Sequence, residues 1–246
     1  MTSIVTLLLE LASNNQTSDD LSLKICTTIA SSSSLDLEKQ IKQAFADGTN
    51  FVEIRFDYLP LSEMQDSLRI ANGFRNKAVF TLRPHSQKGK FSGSADERID
   101  WLKELSLSMP MLLDVEYDTL INHDELVDFL ADHKTRILVS WHDFEGTPAN
   151  EVLLDLLGQM RIYGNFLKIV TTAENIHDCI RLLDLYKVVM NLDLILFAMG
   201  ELGVLSRILC TIYGNAPFTY ASLGKSVVPG QLTILEMRKL YEGMNL

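Results

Sequence analysis

The residue with the most pointed chemistry in this chain is Lys168, in the stretch Asn165-Phe166-Leu167-Lys168-Ile169-Val170-Thr171. Apolar and branched residues run almost unbroken around it, as in a short strand buried on both faces. A charged ammonium buried without a partner is unfavourable, and its usual escape is a lowered pKa and a neutral amine. Such an amine attacks ketones and aldehydes to form a Schiff base. The competing arrangement places the lysine at the strand end with its head lifted into water. A second candidate, His142, directly follows the run Ile137 to Trp141 and sets an imidazole at a strand end. If the two strands are neighbours, about 5 Å separates them.

Other ionisable residues interrupt apolar runs in the same way. Glu53, Arg55 and Asp57 alternate with Val52, Ile54 and Phe56, so the charges share one face of a strand. They could form a self-satisfied ion-pair group, although buried pairs seldom add net stability. Arg83 ends another run, Asp114 and Glu116 close a third, Met199-Gly200 ends a fourth, and Ser206-Arg207 opens the helix behind it. A long loop from Ser222 to Gln231, ending in Pro229-Gly230-Gln231, has the small residues of a movable lid.

The elements that carry these residues alternate regularly. Strands are expected at Leu23 to Ile29, Phe51 to Phe56, Ala78 to Leu82, Met111 to Val115, Ile137 to Trp141, Phe166 to Val170, Leu194 to Ala198 and Phe218 to Ala221. Between them the spacing predicts helices from an N-cap at Ser34, from Ser62 to Ala71, Ala95 to Leu105 and Asp124 to Ala131. Further helices are expected from Thr147-Pro148 (cap and first-position proline), Glu174 to Tyr186, Gly203 to Tyr213 and Gln231 to Tyr241. Eight strand–helix units with no composition break argue for a parallel sheet closed into a (β/α)8 TIM barrel. An open doubly wound sheet is the rival, but no G-x-G-x-x-G turn follows an early strand. The barrel occupies residues 21–246. Residues 1–20 form an N-terminal extension, read as a short helix over Ile4 to Leu11 and a polar connector. That segment carries Glu10, lacks a leading basic residue and is too short to span a bilayer. A barrel places its chemistry at the C-terminal ends of its strands, where all of these residues would converge. Together they supply an amine nucleophile, a proton shuttle, arginines for a carboxylate and a lid.

At 246 residues and 47% hydrophobic residues the chain can bury a large core. A net charge of −10 disfavours nucleic acid and anionic membranes as partners, and obliges any site for an anionic small molecule to supply its own cations. Three cysteines, Cys26, Cys179 and Cys210, show no zinc or redox spacing and suit reduced thiols in a cytoplasmic protein.

Six ordered segments make the pattern specific: Glu53-Ile54-Arg55-Phe56-Asp57; Thr81-Leu82-Arg83-Pro84; Ser140-Trp141-His142-Asp143-Phe144 with Thr147-Pro148; Leu167-Lys168-Ile169; Met199-Gly200 to Ser206-Arg207; and Pro229-Gly230-Gln231. In this order they resemble the type I 3-dehydroquinate dehydratases over nearly the whole chain after residue 20. The resemblance implies a (β/α)8 enzyme of the shikimate pathway, usually a homodimer, that converts 3-dehydroquinate to 3-dehydroshikimate without metal or cofactor. It further implies that Lys168 forms the Schiff base and that His142 handles the imine and the proton. Arg207 would grip the substrate carboxylate, Glu53, Arg55 and Arg83 would hold ring hydroxyls, Gln231 would reach in from the closing loop, and Met199 would pack on the ring. Asp114 or Glu116 would orient His142.

Two positions depart from that pattern. Gln87 stands where many relatives carry a glutamate, and a neutral amide cannot act as a base. Val227 stands where a serine or threonine is common, with Ser226 beside it as the substitute donor. Two other readings make different predictions. A class I aldolase or transaldolase also uses a barrel lysine, but needs a phosphate cradle near strands seven and eight, where Glu201 would be unwelcome. A barrel kept as a binding scaffold would bind ligand without turnover.

Overall fold

The computed structural model describes residues 24–224 and 230–244. The strands are β1 (Ile25–Ile29), β2 (Phe51–Arg55), β3 (Ala78–Thr81), β4 (Leu112–Glu116), β5 (Ile137–His142), β6 (Phe166–Thr172), β7 (Asp193–Met199) and β8 (Thr219–Ser222). All pair in parallel, in the order β7-β6-β5-β4-β3-β2-β1-β8. The sheet is therefore a nearly closed barrel, with its seam between β7 and β8. The principal helices are α1 (Ser34–Ala46), α2 (Met64–Asn72), α3 (Ala95–Leu107), α4 (Tyr117–Asn122), α5 (Asp124–Asp132), α6 (Asn150–Met160), α7 (Ile176–Leu185), α8 (Val204–Ile212) and α9 (Ile234–Gly243). This is the (β/α)8 barrel expected from the alternation. No described helix is long and apolar enough to cross a membrane.

Strands buried on both faces read as continuous apolar runs, which is why β1, β3, β4 and β8 show no exposed position. One packed layer lies between strands and helices, with Val52, Ile54, Phe80, Leu113, Val139, Leu167 and Leu196 meeting residues such as Leu37, Leu102 and Leu182. A second cluster fills the barrel, including Cys26, Val79, Leu112, Leu138, Ile195 and Phe218. These come from the beginnings of the strands, so the barrel has an apolar floor and leaves its C-terminal half to polar groups.

Several boundaries differ from those expected, each for a local reason. Ser33, not Ser34, caps α1 by accepting from the Asp36 amide. Thr147 does not cap a helix, because its hydroxyl is spent on the Thr171 hydroxyl and the Thr172 carbonyl, both at 2.8 Å. The helix starts three residues later, with Ala149 at its N-cap position. Asn175 caps α7 in a reciprocal capping box with Asp178, and Thr233 does the same for α9 with Glu236. The short α4 was not anticipated; one and a half turns carry too little periodicity to read. Strand β2 stops at Arg55, and Phe56–Tyr58 turn as a 3-10 helix. Asp57 therefore leaves the face it was expected to share with Glu53 and Arg55. The start of the first expected strand, the N-terminal extension and the lid residues Ser226, Val227 and Pro229 lie outside the described residues.

Candidate active site

One cavity of about 280 Å³ opens at the C-terminal ends of the strands, lined among others by Glu53, Arg55, Arg83, His142, Lys168, Met199, Arg207 and Gln231. The structure thus brings the expected lysine, histidine, arginines, glutamate, methionine and glutamine to one place. Parallel register explains the central pair. Ser140 lies opposite Lys168 and His142 opposite Val170, so His142 sits two residues further along the neighbouring strand. Two residues restore the same face and advance roughly 6.6 Å. The imidazole consequently stands one pleat above the amine, on the same side of the sheet.

Lys168 is buried, at 3% exposure, and has partners. Its Nζ pairs with Asp114 and lies 3.6 Å from Glu53 Oε1. The expected route to a neutral amine, burial without a counter-charge, does not describe this site. Asp114 in turn accepts from Ser140 Oγ at 2.7 Å and pairs with Arg83 at 3.0 Å. Against the cost of burial, Arg83 and Lys168 hold its carboxyl below the usual carboxylate range. Arg83 also reaches Ser140 Oγ at 3.0 Å and Glu116 at 2.9 Å. Glu116 is anchored from behind by Arg98 of α3 and by Thr119. Glu53 accepts from Thr28 at 3.1 Å and Thr81 at 3.0 Å. Arg55 is held by Asp57 through two bonds of 2.8 Å, with Tyr58 against its plane at 5.0 Å. Asp57 also accepts from the Lys90 amide, which ties the β3 loop down.

Neither Asp114 nor Glu116 is hydrogen-bonded to His142, contrary to expectation. Their oxygens are taken by Lys168, Arg83, Ser140, Arg98 and Thr119, so they act on the site through those residues. Two groups face His142 Nδ1: Gln87 Oε1 at 3.2 Å and the Arg83 guanidinium at 3.5 Å. Gln87 is itself oriented by donating to Asp118 at 3.1 Å. An amide oxygen only accepts and a guanidinium only donates, so the shorter Gln87 contact favours a proton on Nδ1, with Nε2 as the basic nitrogen, and the longer Arg83 contact favours the reverse. The amide that looked like a loss in the sequence is therefore the nearer of the two partners of this nitrogen. Burial, with Arg83 and Lys168 nearby, holds His142 well below the ordinary histidine value. Phe144 stacks on the imidazole at 5.8 Å.

The β7–β8 side is built differently. Arg207 is 2% exposed and its Nε has no hydrogen-bond partner. The Phe197 ring lies 4.2 Å from the guanidinium carbon, and among the described residues no carboxylate pairs with it. Burial pulls this guanidinium down to about 10. Ser206, one residue earlier, accepts from the Ala198 amide and donates to the Gly203 carbonyl, which fastens the first turn of α8 to β7. Gln231 donates to Thr28 at 3.3 Å, while its own Oε1 has no partner among the described residues. The chain delivers Gln231 by passing Gly230 across the seam at φ +73°. A Cβ there would lie 2.1 Å from the Gly200 carbonyl oxygen, so only glycine permits the crossing. Met199 closes the cavity at the end of β7.

Five cations line the cavity; Arg55, Arg83 and Lys168 are offset by Asp57, Asp114, Glu116 and Glu53, and among the described residues Lys88 and Arg207 have no carboxylate partner, which leaves positive charge for an anion. Sequence reasoning missed Thr28, Ser140, Tyr220 and Lys88. Thr28 and Ser140 carried a signal, a hydroxyl in an otherwise apolar strand; Tyr220 and Lys88 carried none.

Comparison with known proteins agrees with this geometry. The model of the type I 3-dehydroquinase family matches residues 25–246. A 3-dehydroquinate dehydratase of Dehalococcoides mccartyi is 37% identical over 205 residues, covering 81% of this chain and 88% of that protein. A 3-dehydroquinate dehydratase of Pyrococcus abyssi is 33% identical over 219 residues, covering 89% and 97%. Among solved structures, the type I 3-dehydroquinate dehydratase of Clostridium difficile, with covalently modified comenic acid, superposes with a TM-score of 0.79 at 25% identity over 90% of this chain and 92% of that one. The chain belongs to the type I 3-dehydroquinase family.

Proposed function

We propose that this chain removes water from 3-dehydroquinate to give 3-dehydroshikimate through an imine on Lys168. The observation that carries the reading is the pairing of a buried amine with an imidazole one pleat above it, in a cavity also lined by Arg207, whose Nε has no hydrogen-bond partner among the described residues. Lys168 gives up a proton, for which the carboxylates of Asp114 and Glu53 stand nearest. Its lone pair then attacks the C3 ketone, and loss of water leaves an iminium. That cation draws electrons from the adjacent carbon, so the C2–H becomes acidic. His142 Nε2 takes this proton, the electrons flow to the nitrogen as an enamine, and they return to expel the C1 hydroxyl, which His142 protonates as it leaves. Water then hydrolyses the conjugated imine and frees Lys168. A positioned shuttle of this kind typically supplies roughly 10²- to 10⁴-fold.

Arg207 takes the substrate carboxylate, since its guanidinium is the buried cation with an unused donor. Arg55, Arg83, Glu53 and Gln231 surround the ring oxygens, and Met199 covers an apolar edge. The enzyme acts on a small molecule. Its three cysteines are free and buried, which supports a reducing cytoplasmic setting. Exposed Ile176 and Ile180 on α7, beside exposed Leu202, support pairing into a homodimer.

A direct ultraviolet assay for the conjugated enone tests the reaction. Absorbance is expected to grow with 3-dehydroquinate, while sugar phosphates are left uncleaved. Cleavage of a sugar phosphate with no enone formed would replace this reading with an aldolase. Binding of 3-dehydroquinate without enone would reduce the chain to a scaffold.

A further inference from the structure

Among the described residues, three buried side-chain atoms with no hydrogen-bond partner belong to the lining of this cavity: Arg207 Nε, Gln231 Oε1 and the Tyr220 hydroxyl. The first two belong to residues already assigned to substrate. Tyr220 had no assigned part. It lies on β8 opposite Cys26 of β1. Its neighbour Ala221 packs outward among Ile208, Leu209, Ile234 and Met237. Alternation along the strand therefore turns Tyr220 into the barrel. There its ring meets Phe218 edge-on at 5.5 Å and Phe197 at 6.3 Å, and Lys168 Nζ stands 5.0 Å from the ring centre.

The packing accounts for a ring at this position but not for its oxygen. Phenylalanine would satisfy every aromatic contact, whereas a buried phenol without a partner is left with its desolvation uncompensated. Buried tyrosines usually find a partner for the hydroxyl. Here none is present among the described residues, although the residue is only 4% exposed. Burial, followed by the nearby Glu53 carboxylate, pushes the phenol well above its ordinary value. The oxygen thus keeps its proton at any working pH and serves as a donor.

We infer that the Tyr220 hydroxyl is a substrate-binding donor on the inner wall of the cavity, reserved for an oxygen of the carbocycle held by Lys168. This rests on the function proposed above. Tyr220 supplies orientation: the ring held at one carbon by the imine and at its carboxylate by Arg207 gains a third fixed point from β8. With three points held, the acidic C2–H is presented to His142 in one pose.

Tyr220→Phe removes one oxygen and preserves the ring. We expect kcat/KM for 3-dehydroquinate to fall roughly three- to ten-fold, the worth of one neutral hydrogen bond. The ligand-free Tm should stay the same or rise, because an unpaired polar atom has left the interior. The rise in Tm produced by saturating 3-dehydroshikimate should shrink in the variant. An active wild type with an unchanged kcat/KM in Tyr220→Phe would overturn this inference alone. So would a ligand-free Tm lowered by several degrees, which would place the hydroxyl in the service of the fold. Absence of enone formation by the wild type would overturn the proposed function and this inference with it.

Discussion

The two walls of the cavity solve opposite problems. On the wall from β2 to β6 the charges at the strand ends have counter-charges: Arg83 faces Asp114 and Glu116, Lys168 faces Asp114 and Glu53, and Arg55 is clasped by Asp57. On the wall from β7 and β8, Arg207 has an aromatic ring for company, and the orphaned atoms of Arg207, Tyr220 and Gln231 collect there. A fully paired network is rigid and holds its members in position before anything binds. An unpaired set is stabilised only when a ligand supplies the missing partners. On the proposed mechanism the paired wall serves the reaction, and the unpaired wall serves recognition of an anionic, hydroxylated ring.

That contrast can be broken by substitution, because each wall should answer in a different quantity. The largest effect belongs to His142→Ala, which should lower kcat by roughly 10²- to 10⁴-fold with ligand binding retained. Steady-state kinetics beside a binding titration separates the two, and near-normal kcat would remove the imidazole from the chemistry.

Stability supplies the next contrast. Arg83→Met leaves Asp114 and Glu116 with a lost partner and should cost about 3–5 kcal/mol in denaturant unfolding. Arg207→Met strands no carboxylate, so its unfolding free energy should stay close to wild type while KM rises roughly ten- to a hundred-fold, the worth of a charge-assisted bond. Equal destabilisation by the two variants would dissolve the distinction between the walls, and an unchanged KM in Arg207→Met would contradict the carboxylate clamp.

The smallest effect is on pH dependence. His142 sits below its ordinary value, chiefly through burial, so the base stays unprotonated as the pH falls. The acid limb of kcat/KM is therefore expected below pH 6.5. In Gln87→Glu a carboxylate would face Nδ1 and favour the imidazolium, moving that limb upward by roughly one unit. An unmoved limb would show that Gln87 does not govern the histidine.

The fold was legible because each strand is buried on both faces and each helix on one, so the two periodicities alternate cleanly from Ile25 to Gly243. Lys168 and His142 were legible for the same reason, as lone ionisable residues in apolar runs. What escaped was pairing between elements distant in sequence. The engagement of Glu116 by Arg98 depends on where α3 settles against β4, and no local spacing encodes it. The contact of Gln87 with His142 joins the β3 loop to β5 across 55 residues. Thr147 followed by Pro148 has the composition of a helix start, but the nearby strand β6 offered its hydroxyl better partners. Tyr220 looked like one more aromatic stave, because an unsatisfied hydroxyl is visible only once its surroundings are known.

The imine on Lys168 is the step on which the rest turns. Borohydride added during turnover of 3-dehydroquinate reduces an iminium to a stable secondary amine, and peptide mass mapping locates the adduct. The account predicts inactivation with one ligand-derived mass increment on the peptide carrying Lys168. An active preparation that yields no adduct, or carries it on another residue, would contradict it.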